Sequence, residues 1–172
     1  DTFENGNELR EAFLSGFVGG GPVEEILKFL ILYHFILREK EFNEPMDGIV
    51  YGVTASLGFA TLENIDYVFY VDWGGVITSK EVAFLRSFSA IPLHGLCGVI
   101  MGFYFGKYVF TGDKKNMYYS ILIPILIHGS YNFIVSFNFI LALIVIILAL
   151  IFSIKFHSSL RNLQNKKNKE KE

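Results

Sequence analysis

Apolar residues along this chain gather into five long segments separated by short charged connections. The most continuous is 138–154, NFILALIVIILALIFSI, which contains no charged residue. With Phe137 and Phe156 on its flanks it approaches the roughly 20 apolar residues that cross a bilayer as a helix. The other four run over approximately 12–37, 48–70, 88–110 and 118–136. Backbone polar groups inside a bilayer must be satisfied within the segment, so such runs predict helices. The expected fold is all-α, a polytopic membrane bundle of about five transmembrane helices around a buried polar site. Residues 1–156 read as one integral membrane domain and 157–172 as a basic cytoplasmic tail.

Composition alone is less decisive. A chain of 172 residues with 52% hydrophobic side chains could form a soluble domain, so the distribution carries the membrane assignment. Charge sharpens it. The net charge of −2 conceals an asymmetry between alternate connections. If the tail KKNKEKE is cytoplasmic, Arg38, Lys40, Lys107, Lys114, Lys115, Lys155 and Arg161 fall on its side of the membrane. Only Arg10, Lys80 and Arg86 fall outside. That is a positive-inside pattern, with the N-terminus outside. The lysine-rich tail suits contact with anionic lipid, and no nucleic-acid partner is expected. Cys97 is the single cysteine, which excludes an intrachain disulfide and reads as a small buried apolar side chain. Residues 1–11 are polar and acidic, unlike a cleavable signal peptide, and the chain begins with Asp. A fragment or processed product is expected, with helices missing upstream.

Several polar residues interrupt the apolar runs. In GGGPVEEILK, Pro22 suits a first helical turn. Glu24 and Glu25 are expected in the same turn, where the helix dipole favours negative charge. Lys28, four residues beyond Glu24, shares its face and is expected to pair with it. Glu25 points about 100° away and is left without that partner. The preceding AFLSGFV extends the apolar run outward, which places both acids inside the bilayer. Ionisable groups there mark function.

Gly48, Gly52, Ser56, Ala60 and Asn64 recur every four residues, as do His94, Gly98, Gly102 and Gly106. Small-residue stripes of this kind let two membrane helices approach closely. Glu63 lies beside the first stripe and His94 heads the second. In PILIHGSYNF, Pro124, His128 and Asn132 share one face. With the helices alternating in direction, Glu24, Glu25, Glu63, His94 and His128 all fall in the outer half of the membrane. His34 and His157 lie near the opposite boundary and read as interfacial, and the fifth helix as lipid-facing.

Glu and His together suit general acid–base hydrolysis, with Asn132 available to a developing oxyanion. Glu25 rather than Glu24 is the expected base, because Lys28 should occupy Glu24. Equally, His94, His128 and Glu63 form a plausible zinc ligand set with a position open for water. No HExxH motif is present. The small supply of acceptors to orient ligand histidines tilts the expectation toward hydrolysis without a metal, with zinc the alternative cofactor.

EEILK, then DGIVYGVTASLGFATLEN, then His94 preceded by Arg86, then HGSYN, resemble in order the PrsW family of intramembrane proteases, related to the CAAX-processing and bacteriocin-immunity membrane proteases. The resemblance runs from about Gly19 to Asn132. It implies a multi-helix endopeptidase with an active site of Glu24, Glu25, Glu63, His94 and His128, with Asn132 beside them. It implies as substrate a membrane-anchored protein of the anti-sigma-factor kind, cut on the outer side. The wider superfamily includes metallopeptidase and metal-free glutamate-protease readings. Relatives carry extra N-terminal helices. The rival readings are a proton-coupled transporter or channel, against which the lack of an internal repeat counts, and a non-catalytic scaffold.

The charge pattern predicts that a cysteine placed at Trp73 reacts with a membrane-impermeant thiol reagent from outside, and one at Asp113 does not. The reverse labelling would invert the topology.

Overall fold

A computed structural model of the chain describes residues 2–169; Asp1 and residues 170–172, the end of the basic tail, lie outside the described residues. Seven α-helices follow one another: α1 (Thr2–Leu14), α2 (Gly20–His34), α3 (Asp47–Phe69), α4 (Ser79–Phe88), α5 (Ala90–Thr111), α6 (Lys114–Val135) and α7 (Phe139–Lys169). A π-helical turn, Ser15–Gly19, joins α1 to α2. No strand occurs among the described residues, so the expected all-α bundle is the observed architecture.

Among the described residues, three stretches are long and apolar enough to cross a membrane: Ser79–Thr111, Lys114–Val135 and Phe139–Asn162. This is a membrane protein by those helices. The expected segments 48–70, 88–110 and 118–136 correspond closely to α3, α5 and α6. The segment 12–37 does not form one uniform helix. It is divided among the end of α1, the π turn, α2 and a short 3-10 turn, Ile36–Arg38. The helix is continuous through Gly20, whose N–H donates to Ser15 O. Glu24 and Glu25 therefore sit in the second turn of α2 rather than at a free N-terminus, and the dipole argument for them falls away.

α5 is the centre of the bundle. It packs on α3, α4, α6 and α7, and Leu93, Cys97, Ile100, Met101 and Phe105 on it are almost wholly buried. The two small-residue stripes meet face to face along the α3–α5 seam. A methyl group on Gly98 would stand 2.7 Å from Gly52 O and 2.8 Å from Ser56 Cβ, so no larger residue fits there. Ser56 Oγ closes the seam by donating to His94 O at 2.6 Å. At the far end Gly112 adopts φ 73°, a left-handed conformation that suits glycine, and its N–H donates to Tyr108 O. Cys97 is buried and unpaired, as expected.

Two elements depart from the pattern in the sequence. α4 is a short amphipathic helix with a Thr78–Glu81 capping box, bent away from α5 at Ser89 (φ −126°, ψ −77°). The segment beginning at residue 157 continues α7 without a break. Leu160 is buried against Ile49 and Phe103, and Gln164 bonds both Glu44 and the Met46 N–H. Its first turns are docked rather than freely solvated, because apolar Leu160 recurs on the α7 face that packs on α5. Elsewhere α7 leaves Ile140, Ile144, Ile147 and Ile154 exposed, as a lipid-facing helix does.

Gly98→Ala should lower the unfolding temperature in detergent markedly, since overpacking of this kind costs about 1–3 kcal/mol. Gly58→Ala, on α3 where an added methyl meets nothing within 4 Å, should be neutral or stabilise by up to about 1 kcal/mol. Equal shifts for the two variants would remove the seam from the account.

Candidate active site

Four helices converge on one buried polar cluster: α2 supplies Glu24, Glu25 and Lys28, α3 supplies Glu63 and Asn64, α5 supplies His94, and α6 supplies His128 and Asn132. Lys28 and Glu25 have no exposed surface, and His94 and His128 are almost as deeply buried. The five acids and histidines expected from the sequence at one depth are thus joined in one cluster.

The connections are specific. Lys28 Nζ donates to Glu25 Oε1 at 2.7 Å and to His94 Nδ1 at 2.8 Å. An ammonium can only donate, so His94 Nδ1 is an acceptor and its Nε2 carries the proton, donated to Glu63 Oε2 at 2.8 Å. Glu63 Oε2 also accepts from Arg86 Nη2 at 2.9 Å. Arg86 Nε donates to Asn64 Oδ1, and its guanidinium lies over the Tyr67 ring at 4.0 Å. On the other side, His128 Nδ1 donates to Glu25 Oε1 at 2.8 Å. That bond fixes the tautomer and leaves His128 Nε2 as a free lone pair. The two imidazoles stand nearly perpendicular, with centroids 4.9 Å apart.

The expected pairing within α2 is reversed. Lys28 makes its close contact with Glu25, three residues away, and stands 3.8 Å from Glu24 Oε2. Both spacings share a helix face; the lysine head is drawn toward Glu25 because His94 lies there too. Glu24 is the less engaged acid. Its Oε2 is buried without a hydrogen-bond partner and stands 3.8 Å from His128 Nε2. Glu25 Oε2 is likewise unpartnered, but Glu25 Oε1 serves both Lys28 and His128.

Donor atoms of Glu24, His94 and His128 lie within 4.8 Å of one another. A tetrahedral zinc site, with bonds of about 2.0–2.1 Å, brings its ligand atoms to about 3.3 Å apart, so these donors would draw together slightly. The donor types fit a divalent metal, and the unpartnered Glu24 Oε2 and free His128 Nε2 are ready ligands. His94 would have to exchange one of its two present bonds. Glu63, the carboxylate the sequence suggests for such a set, lies on the far side of His94, where Arg86 holds it.

Beside the cluster is a chamber of about 290 Å³, with Glu63, His94, His128 and Asn132 on its polar wall. Val82, Leu85, Leu93, Val135 and Phe139 are among its apolar lining, with Tyr131 and Trp73 beside them. Asn132 also lies near Glu24: a methyl on Gly20 would be 3.4 Å from Glu24 Oε1 and 3.5 Å from Asn132 Nδ2. His34 and His157 are exposed and stand apart from the site. Sequence reasoning passed over Arg86 as a partner of Glu63; a lone arginine eight residues before His94, at the head of an apolar run, is the signal that could have shown it.

A family model described as PrsW family intramembrane metalloprotease matches residues 3–156. The chain belongs to the PrsW family. It is 44% identical over 128 residues to Protease PrsW of Bacillus subtilis (strain 168), covering 73% of this chain and 56% of that protein. It is 37% identical over 155 residues to Protease PrsW of Clostridioides difficile (strain 630), covering 88% and 63%. The Geobacillus kaustophilus (strain HTA426) protein of the same name is 43% identical over 124 residues, covering 71% and 50%. The chain therefore spans between half and two-thirds of the length of these relatives. No solved structure matches. The family description favours a metal over the metal-free hydrolysis expected from the sequence.

Removing the central cation should be costly, since breaking a buried ion pair costs about 3–5 kcal/mol. Lys28→Met should lower the unfolding temperature far more than Lys80→Met, on the exposed face of α4. Unfolding temperatures that match would show that Lys28 is not the group holding the cluster.

Proposed function

We propose that this chain carries the hydrolytic centre of an intramembrane endopeptidase that cuts a membrane-anchored protein. The observation that carries this is the convergence of Glu24, Glu25, Glu63, His94 and His128 beside a largely apolar chamber. In this reading Glu24 takes the proton from the attacking water. Its free Oε2 and the His128 Nε2 lone pair face each other at 3.8 Å, a separation at which both can reach one small molecule. Glu25 orients His128 through Nδ1, and Lys28 orients His94 so that its N–H points to Glu63. Asn132, on the chamber wall, donates to the oxygen that gains charge as the carbonyl is attacked. Glu24 and His128, with His94 once it exchanges its bond to Lys28 or to Glu63, would hold a divalent ion such as zinc, which would supply a water of lowered pKa and a positive charge beside the carbonyl.

Buried Glu and His also build proton relays, but family membership favours hydrolysis over a transporter, channel or inert scaffold. Single-span proteins of the anti-sigma-factor kind are the first substrates to try. With the N-terminus outside, the cluster lies in the outer half of the membrane and the basic end of α7 faces anionic lipid in the cytoplasm.

Glu24→Gln should abolish cleavage of such a substrate by the purified protein while keeping its unfolding temperature. Glu25→Gln should lower both, because Lys28 loses its counter-charge. Zinc should copurify with the wild type, and a chelator should remove it together with activity, both returning when zinc is added back. Full activity in Glu24→Gln would sink the assignment, and full activity in metal-stripped protein would sink the ion.

A further inference from the structure

The chamber is not the only cavity that Leu85 and Phe139 line. Both also line a groove of about 340 Å³ on the outside of the bundle, between the exposed face of α4 and the first turn of α7. Phe84, Phe88 and Leu143 complete its wall, and no charged residue lines it. Across α4 a second groove, of about 760 Å³, shares Trp73, Ile77 and Leu85 with the chamber and is flanked by Lys80 and Glu81. Leu85 therefore borders all three spaces. α4 packs on α3 and α5, with Val82 its buried residue, and it leaves Phe84 and Phe88 about two-thirds exposed, at 65% and 66%.

The two grooves differ in the surroundings they suit. The α4–α7 groove is wholly apolar and opens beside the lipid-facing start of α7, whereas the other carries the charged residues Lys80 and Glu81 on its edge, which suit water. An apolar groove that merely faces lipid would need no explanation. This one shares Leu85 and Phe139 with the chamber whose wall bears His94 and His128, so only those two side chains are common to both spaces. A membrane helix cannot offer its peptide bond while each carbonyl is held by its own helix. A peptide bond that reaches the chamber must therefore come from an opened, extended stretch.

We propose that the slit between α4 and the first turn of α7 is the entry by which an apolar segment of a single-span protein passes from lipid into the chamber. Leu85 and Phe139 are the side chains it passes, and the water-facing flank of the same substrate lies along the Lys80–Glu81 groove. This rests on the peptidase reading above for its purpose, but its test reads binding.

The photoreactive amino acid benzoylphenylalanine, placed singly at Phe88, Leu143, Leu126 or Ile147 of the full chain in phosphatidylcholine vesicles, would be illuminated with a single-span peptide of about 20 apolar residues. Leu126 on α6 and Ile147 on α7 are exposed at 58% and 55%, comparable to Phe88 at 66% and more open than the half-buried Leu143, but line neither groove. Capture at Phe88 and Leu143 several-fold above the other two positions is expected. Uniform capture, the result if the slit holds only lipid, would overturn the entry. In a second arm, Leu85→Trp should reduce kcat/KM for a single-span substrate at least tenfold, with a smaller loss for a short water-soluble peptide of the same scissile sequence; equal losses would overturn it. Selective capture without any hydrolysis would retain the entry and sink the peptidase reading, and hydrolysis with uniform capture would do the reverse.

Discussion

Lys28 has no exposed surface, so nothing but its neighbours can hold its charge, and three elements are committed to doing so. Glu25 comes from its own helix, His94 from α5, and Phe59 of α3 presents its ring 5.0 Å from the ammonium. An isolated ammonium in a low-dielectric interior is among the costliest things a fold can contain. The position of α2 against α3 and α5 is thereby set by electrostatics as well as by packing. The same group determines protonation states at a distance. By occupying His94 Nδ1 it forces the proton to Nε2 and toward Glu63, and by sharing Glu25 Oε1 it ties His128 to the same network. One cation thus orders both imidazoles, and Glu24 is left as the acid with an oxygen to spare.

Such an arrangement needs backbones that approach closely and stay there. The α3–α5 seam provides this, because glycines face glycines and their carbonyls come within reach of the opposing helix. His94 is anchored on that seam by its own carbonyl, which accepts from Ser56. A second close approach, Gly16 and Gly21 against Gly129, brings the π turn and α2 onto α6 immediately next to His128. Both histidines therefore lie beside glycine contacts. Small residues in a membrane bundle are commonly read as association motifs; here they also set the depth and direction of the polar side chains beside them.

Much of this was legible in the sequence. Apolar runs gave α3, α5 and α6 nearly to their ends, because each is a continuous helix flanked in the sequence by polar or charged turn residues. The four-residue stripes pointed to a close seam, and alternating helix directions brought the acids and histidines to one level. The rest was hidden for physical reasons. α4 is ten residues long and only half apolar, so its periodicity was too short to stand out. The first apolar run is divided because Gly16 and Gly21 must press against α6, a constraint from another helix. The choice of Glu25 over Glu24 by Lys28 could not be read from spacing, since three and four residues are equivalent on a helix face and His94, 66 residues away, decides between them.

The chamber's two walls are different in kind, and this bears on how a peptide bond could be handled within a membrane. Val82 and Leu85 of α4 and Phe139 of α7 contribute apolar surface, joined by Leu93 and Val135, while Arg86 of α4 stands with Glu63, His94, His128 and Asn132 in the polar part. A segment leaving its helix exposes N–H and C=O groups that lipid cannot satisfy, each costing several kcal/mol if left alone. Only on crossing from the first wall to the second does it meet partners for them, with Ser89 and Tyr131 on the same chamber lining. On the proposed entry, unwinding and arrival at the reactive groups would be one event rather than two. A helix that stays intact gains nothing from the polar wall, and a segment that opens in the lipid has nowhere else to go. Selectivity of this kind needs no contact with particular side chains, because it follows from where the hydrogen-bonding groups begin.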